Sequence, residues 1–206
     1  MEMNPQRTRR GRRLLGLAAT AVATGALAAP AAQAGLLTGK GAAYCPLTTQ
    51  AFGQWGDSSY YRLAAGGSFE GTVSWTISGG AGSTAGNEPF YANAADDTQS
   101  LLLPAGAVAT SPASCVDASS VKLRLFTKGT GRVRVSVVSR DLLGVLSVLD
   151  GGVVTAGTTW EPSPEISMRL TSVGALLTIN SVQVRVTAVD GPVQVDDVFI
   201  DPFKST

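Results

Sequence analysis

Two adjacent carboxylates interrupt the last apolar run of this chain, Val193-Gln194-Val195-Asp196-Asp197-Val198-Phe199-Ile200. Val193 and Val195 share one parity, while Val198 and Ile200 share the other. Side chains along a strand alternate with period two, and a slip of one residue exchanges the faces. Both pairs are buried together only if an extra residue enters between them. The spacing therefore predicts a β-bulge at Asp196-Asp197. A bulge of this kind re-aims a carboxylate, which gives it a route to a cation.

Other chemistry is sparse. The chain has no histidine, which excludes Ser-His-Asp and Cys-His nucleophilic catalysis. No G-x-S-x-G elbow occurs. Glycoside hydrolysis needs two carboxylates across a cleft; Glu88, Asp96, Asp97 and Glu161 are available, but no spacing singles out a pair. The glycine-rich stretch 79–86 lacks the spacing of a phosphate loop. The sequence reads as non-enzymatic.

The first residues read as an export signal. Arg7, Arg9, Arg10, Arg12 and Arg13 form a basic region, Leu14 to Leu27 an apolar one, and Ala32-Gln33-Ala34 a small-x-small cleavage site. The expected organisation is a signal peptide over 1–34, an N-terminal leader and first strand over 35–65, and a β-sandwich over 66–206. Without residues 1–34 the chain keeps 11 of its 16 basic and 14 of its 15 acidic residues, a net charge of −3. Nucleic acid, which favours a concentrated basic surface, is not an expected partner, nor is a membrane once the signal is cleaved. The expected location is extracellular, free or wall-associated. Cys45 and Cys115 form an even pair in an exported chain, which reads as a disulfide. Closing a loop of about 70 residues contributes roughly 4 kcal/mol in the chain-entropy model.

The body that must position these groups is all-β. No stretch sustains a 3.6-residue apolar period, and short alternating segments recur between turn residues. Val73, Trp75 and Ile77 alternate with polar residues; Leu101-Leu102-Leu103 stops at Pro104. Val121, Leu123 and Leu125, a Lys128-Gly129-Thr130-Gly131 turn, and Val133, Val135 and Val137 predict a hairpin. Leu142 to Leu149, Ile166 to Leu170, Val182 to Val186 and the closing strand follow, with a tight turn at Asp190-Gly191 before the last. About ten short strands make two packed antiparallel sheets.

A Gly66-Gly67-Ser68-Phe69-Glu70 opening, Trp75 soon after, a central Trp160 and the closing Val195-Asp196-Asp197-Val198 occur in that order. This resembles the jelly-roll carbohydrate-binding modules of the galactose-binding-like group, over roughly residues 66–201. The chain also resembles small secreted proteins of high-GC Gram-positive bacteria, of unassigned role, in Trp55-Gly56-Asp57, Ser68-Phe69-Glu70 and Gly86-Asn87-Glu88-Pro89. The first resemblance implies a jelly-roll sandwich and a structural calcium shared by Glu70 and Asp196, with Asp197 as neighbour. Calcium takes six to eight oxygens. The other use of the same acids is to cap turns and accept backbone N–H bonds.

Arg124, Arg132, Arg134, Arg169 and Arg185 sit at polar parity in their strands. With Tyr91 in a loop, they are the candidate ligand-binding residues, and cations would favour an acidic glycan. Outward strand positions are polar in any case, and successive jelly-roll strands alternate between sheets. Trp75 and Trp160 read as core; Tyr60-Tyr61 and Phe90-Tyr91 as loop or edge. The expected function is binding of extracellular polysaccharide; the alternative is a structural or protein-interaction module without glycan affinity.

Overall fold

The computed structural model describes residue 45 and residues 48–116, 120–140, 146–169 and 181–202. The expected signal peptide, residues 35–44 of the expected leader, residues 142–145 of the expected strand and Leu170 lie outside the described residues. Among the described residues no helix is long and apolar enough to cross a membrane.

Among the described residues thirteen short strands build two antiparallel sheets. They are β1 (Arg62–Leu63), β2 (Thr76–Ser78), β3 (Gly82–Ala85), β4 (Gln99–Leu103), β5 (Val108–Thr110), β6 (Ser114–Cys115), β7 (Ser120–Gly129), β8 (Arg132–Arg140), β9 (Leu146–Thr155), β10 (Glu161–Pro162), β11 (Ile166–Arg169), β12 (Ser181–Ala188) and β13 (Val193–Asp201). The first sheet runs β10-β7-β13-β4-β3, with β1 on β13 and β11 on β7; the second runs β2-β5-β12-β8-β9, with β6 on β12. This is a two-sheet antiparallel jelly-roll sandwich.

Alternation explains why these segments pack as they do. Val121, Leu123 and Leu125 from one sheet meet Val133, Val135, Val137, Val182, Val184 and Val186 from the other in one dry core. Trp75 is buried there against Phe69 and donates its indole N–H to the carbonyl of Ala65 at 2.9 Å. The closing strand bulges where the parity predicted. Asp196 stands opposite Phe126, but Phe199 stands opposite Arg124, so β13 takes one more step than β7. Asp197 absorbs the extra residue with a φ of 42°, and Val193, Val195, Val198 and Ile200 all reach the core.

The expected hairpin across 128–131 does not form. β7 pairs with β10, β11 and β13, whereas β8 pairs with β9 and β12. The turn instead carries the chain from one sheet to the other, as does the Asp190-Gly191 turn between β12 and β13. The reason is steric. The two connections lie on one another, and a Cβ on Gly131 would stand 2.5 Å from the Gly191 carbonyl carbon. Glycine is the residue that permits this approach. Strand periodicity carries no information about which sheet receives the next strand.

A second apolar cluster lies on the opposite face of the first sheet. Phe52, Tyr61, Phe126 and Phe199 form it, with Trp55, Leu63 and Trp160 against them. The segment before β1 therefore covers this face, and β1 pairs with the far end of β13. Cys45 and Cys115 are bonded to each other. Cys115 lies on β6, which pairs with β12, so the disulfide fastens the start of the covering segment to the second sheet.

Candidate functional site

The bulge holds a loop. Asp196 Oδ2 accepts the Glu88 N–H at 2.9 Å, and Asp197 Oδ2 accepts the Asn93 N–H at 3.0 Å. Between these anchors the Glu88 carboxylate accepts the N–H groups of Phe90 and Ala92, both at 2.5 Å. Glu88, Asp196 and Asp197 are all fully buried. Tyr91, in the middle of the loop, has a φ of 52°, a conformation disfavoured for a bulky residue. The three acids thus wrap residues 88–93 around themselves and present Phe90 to Trp55, 5.1 Å away edge to face.

Burial sets the electrostatics. Loss of water pushes the carboxyl of Asp196 up to about 8, with its accepted N–H bonds acting the other way. Asp197 is pushed up to about 8 by burial first and then by the charge of Asp196 beside it. Asp197 Oδ1 is buried without a hydrogen-bond partner, as are Asn87 Oδ1 and Ser100 Oγ.

Those orphaned oxygens suit a cation, but the expected set of carboxylates is not assembled. Glu70 Oε1 accepts the N–H groups of Thr98 at 2.7 Å and Gln99 at 2.6 Å, at the start of β4. No hydrogen bond among the described residues joins Glu70 to either aspartate. Asp196 engages both its oxygens, Oδ1 with the Asp197 N–H and Oδ2 with that of Glu88. Among the described residues no three His, Cys, Asp or Glu side chains are grouped as a metal seat. In this arrangement the acids act as acceptors for backbone N–H groups.

The candidate ligand-binding residues divide between the two sheets. Arg132 and Arg134 on β8 and Arg185 on β12 share the outer face of the second sheet, where Arg185 faces Ser136 and Arg134 faces Thr187 across the ladder. Arg132 pairs with Asp190 at 2.7 Å, Arg134 with Asp150, and Arg185 donates to the Thr110 hydroxyl at 3.2 Å. The Arg132 pairing, reinforced by the Arg132 main-chain N–H, holds the Asp190 carboxyl below its ordinary value. Arg169 is exposed on β11 of the first sheet, and Tyr91 is 54% exposed in the acid-held loop.

Arg124 departs from expectation most. It points outward from β7 but is only 8% exposed, because the covering segment lies over it. Its Nε and Nη2 donate to the Ser163 carbonyl at 3.0 and 2.7 Å, and its Nη1 to Asp57 Oδ2 at 3.0 Å. The guanidinium carbon sits 4.3 Å from the Phe52 ring centroid, a cation–π contact. Burial alone would raise the Asp57 carboxyl; the Tyr61 hydroxyl, the Ser59 N–H and Arg124 outweigh it and hold it below its usual value. Arg124 is a structural clamp. Parity could place it on the outer face but could not show that the face is covered.

Asp57 and Glu88 are the residues whose roles the sequence did not disclose. Asp57 and Glu88 lie within the short motifs Trp55-Gly56-Asp57 and Gly86-Asn87-Glu88-Pro89, which are the available signal. Tyr61, expected at an edge, is fully buried; Trp55 packs on Phe126.

No family model matches the chain, and no curated protein matches it. Several solved structures share its outline. The enzymatically active domain of bacteriophage CBA120 tailspike protein 4 is 17% identical at a TM-score of 0.49, over 68% of this chain and 21% of that one. The CBM22-1 xylan-binding domain of Paenibacillus barcinonensis Xyn10C is 16% identical at 0.47, over 70% of this chain and 100% of that one. The family 11 carbohydrate-binding module of Clostridium thermocellum, in complex with a β-1,3-1,4-mixed-linked tetrasaccharide, is 15% identical at 0.44, over 71% and 98%. Jelly-roll carbohydrate-binding modules, the group the sequence resembles, are thus among the similar structures. None of these three reaches a TM-score of 0.5.

Proposed function

We propose that the chain is a secreted, non-catalytic carbohydrate-binding-like module for extracellular or cell-wall polysaccharide. The observation that supports this best is the polar outer face of the second sheet at β8 and β12. Arg132, Arg134, Gln183, Arg185 and Thr187 stand on the adjacent strands β8 and β12, half-buried or exposed. Their donors and acceptors suit sugar hydroxyl groups, and the arginines favour a chain bearing acidic groups. Neither catalytic triads nor a glycosidase pair enter this reading; the buried acids Glu88 and Asp196 are committed to backbone N–H groups. A polysaccharide panel on affinity gels tests it. Retardation by at least one wall or plant polysaccharide is expected, abolished by combined Arg134→Ala and Arg185→Ala. No retardation by any of them would overturn the reading.

One observation favours the alternative of a protein-interaction module. Leu146, Val148 and Val153 on β9 are 49%, 55% and 41% exposed, an apolar row beside the cations.

Calcium belongs to the proposal as a structural ion. Asp197 would hold it through its unpartnered Oδ1, with Asn87 and Ser100 contributing neutral oxygens, once Asp196 turns an oxygen away from the N–H it now accepts; the ion would neutralise charge that burial now disfavours. Glu70 would have to release its backbone partners to join them. A melting temperature that rises with calcium and falls with a chelator is expected; indifference to both would remove the ion from the proposal.

A further inference from the structure

We infer that Arg62 heads a separate small cleft on the covered side of the sandwich, and that this cleft takes a single sugar ring carrying a carboxylate, a hexuronate. The cleft encloses about 270 Å³ and is lined by Thr49, Arg62, Leu63, Asn93 and Phe199, with Tyr61 beneath. The Nε of Arg62 is shielded from water and has no hydrogen-bond partner. None of the ion pairs among the described residues uses this guanidinium. A polar group dried and left unpaired is costly. The planar fork of arginine matches a carboxylate through two parallel bonds, so a rotation of the half-buried Arg62 side chain that turns its Nε to the cleft would let an incoming carboxylate relieve that cost.

The other walls narrow the ligand. Leu63 and Phe199 belong to the apolar cluster under the cleft and suit the C–H face of a ring. Asn93 directs its main-chain N–H to Asp197 and one amide hydrogen to Asp97, which leaves its Oδ1 as an acceptor for a hydroxyl group. Thr49 adds a hydroxyl. An anion seat, a hydroxyl acceptor and an apolar floor together describe a polyhydroxylated ring with one carboxylate. The volume lies at the small end of ligand clefts, roughly 300 Å³ and upward, which fits one ring and not a chain.

The walls are held before any ligand arrives. Tyr61 donates to Asp57 at 2.8 Å, the Ala64 N–H bonds the Val198 carbonyl at 2.8 Å, and Asn93 is anchored on the bulge. Preorganisation of this kind lowers the cost of binding. The site shares no residue with the open face of the second sheet, so the two can fail separately.

The test titrates the full chain with glucuronate and galacturonate, following amide shifts by NMR, with glucose, galactose and acetate as separate arms. Saturable shifts with at least one hexuronate are expected, centred on Arg62 and Asn93, with the neutral sugars and acetate roughly tenfold weaker or more. Arg62→Gln should weaken the hexuronate by about the same factor, Arg62→Lys by less, and Arg185→Ala not at all. Asn93→Ala, away from β1, provides a second variant should Arg62→Gln fail to fold; a several-fold loss is expected. Absence of saturable hexuronate binding, equal binding of neutral sugar or acetate, or indifference to both Arg62→Gln and Asn93→Ala would overturn the inference.

Discussion

The outer face of the first sheet and that of the second both carry arginines at outward strand positions, yet use them differently. On the first, Arg124 is roofed by residues 51–63 and bonded to Ser163 and Asp57. On the second, Arg132 and Arg134 stay in water and meet acids that are themselves about half exposed. Depth below a cover, not residue type or parity, decides whether a cation holds the fold or remains available to a ligand. A buried ion pair is weak evidence of net stabilisation, but breaking one partner is costly; an exposed pair is screened and contributes little.

Paired substitutions break this contrast most directly. Arg124→Ala should cost about 3 kcal/mol, since it removes the cation beside a partly dry Asp57 that keeps only its Tyr61 and Ser59 bonds; urea denaturation measures it. A loss within scatter would mean that the cover is loose. Reduction of the Cys45–Cys115 bond, with its sequence separation of 70 residues, should cost roughly 4 kcal/mol at most in the chain-entropy model. It should also increase access of quenchers to Trp55 while leaving the second sheet's face as it was.

The pH dependence gives a more diagnostic effect. Asp196 and Asp197 titrate near 8 in the folded chain, against about 3.8 for an ordinary aspartate. The folded state therefore holds protons that the unfolded chain releases. Their contribution is fully present below about 3.8 and is lost as pH rises through about 8, so between those values stability should decline with rising pH. Asp197→Asn should flatten that decline in melting curves taken across the window. A decline of unchanged slope would remove these two groups as its source. Smallest of all, Arg132→Ala on the open face should leave the denaturation midpoint unmoved, while Arg134→Ala and Arg185→Ala together abolish retardation by polysaccharide.

Much of the sandwich is legible in the residue pattern. Alternation places Leu101, Leu123, Val135, Val184 and Val195 inside, and the broken parity of the closing strand locates the bulge. Those are local properties, imposed by the two-residue repeat. What escapes is non-local. Nothing between Leu125 and Val133 says that the strands part company, because a close approach of Gly131 to Gly191 is a contact between segments far apart in sequence. Arg124 and Tyr61 look exposed until the segment above them is seen. Glu88 reads as a spare carboxylate until the bulge brings two aspartates to its loop. Parity marks the outward positions of a strand and cannot report what lies on top.

The meeting of residues 129–131 with 190–192 bears on how this scaffold tolerates change. Main chain rests there on main chain: a Cβ on Gly129 would come within 2.4 Å of the Pro192 carbonyl oxygen, and one on Gly191 within 2.9 Å of Gly131. No rotamer can adjust to a methyl group added at such a seam, so the two crossovers would have to separate and carry both sheets with them. A reporter peptide or affinity tag grafted into either connection would act as a wedge between the layers, which makes this end of the sandwich the wrong one to engineer.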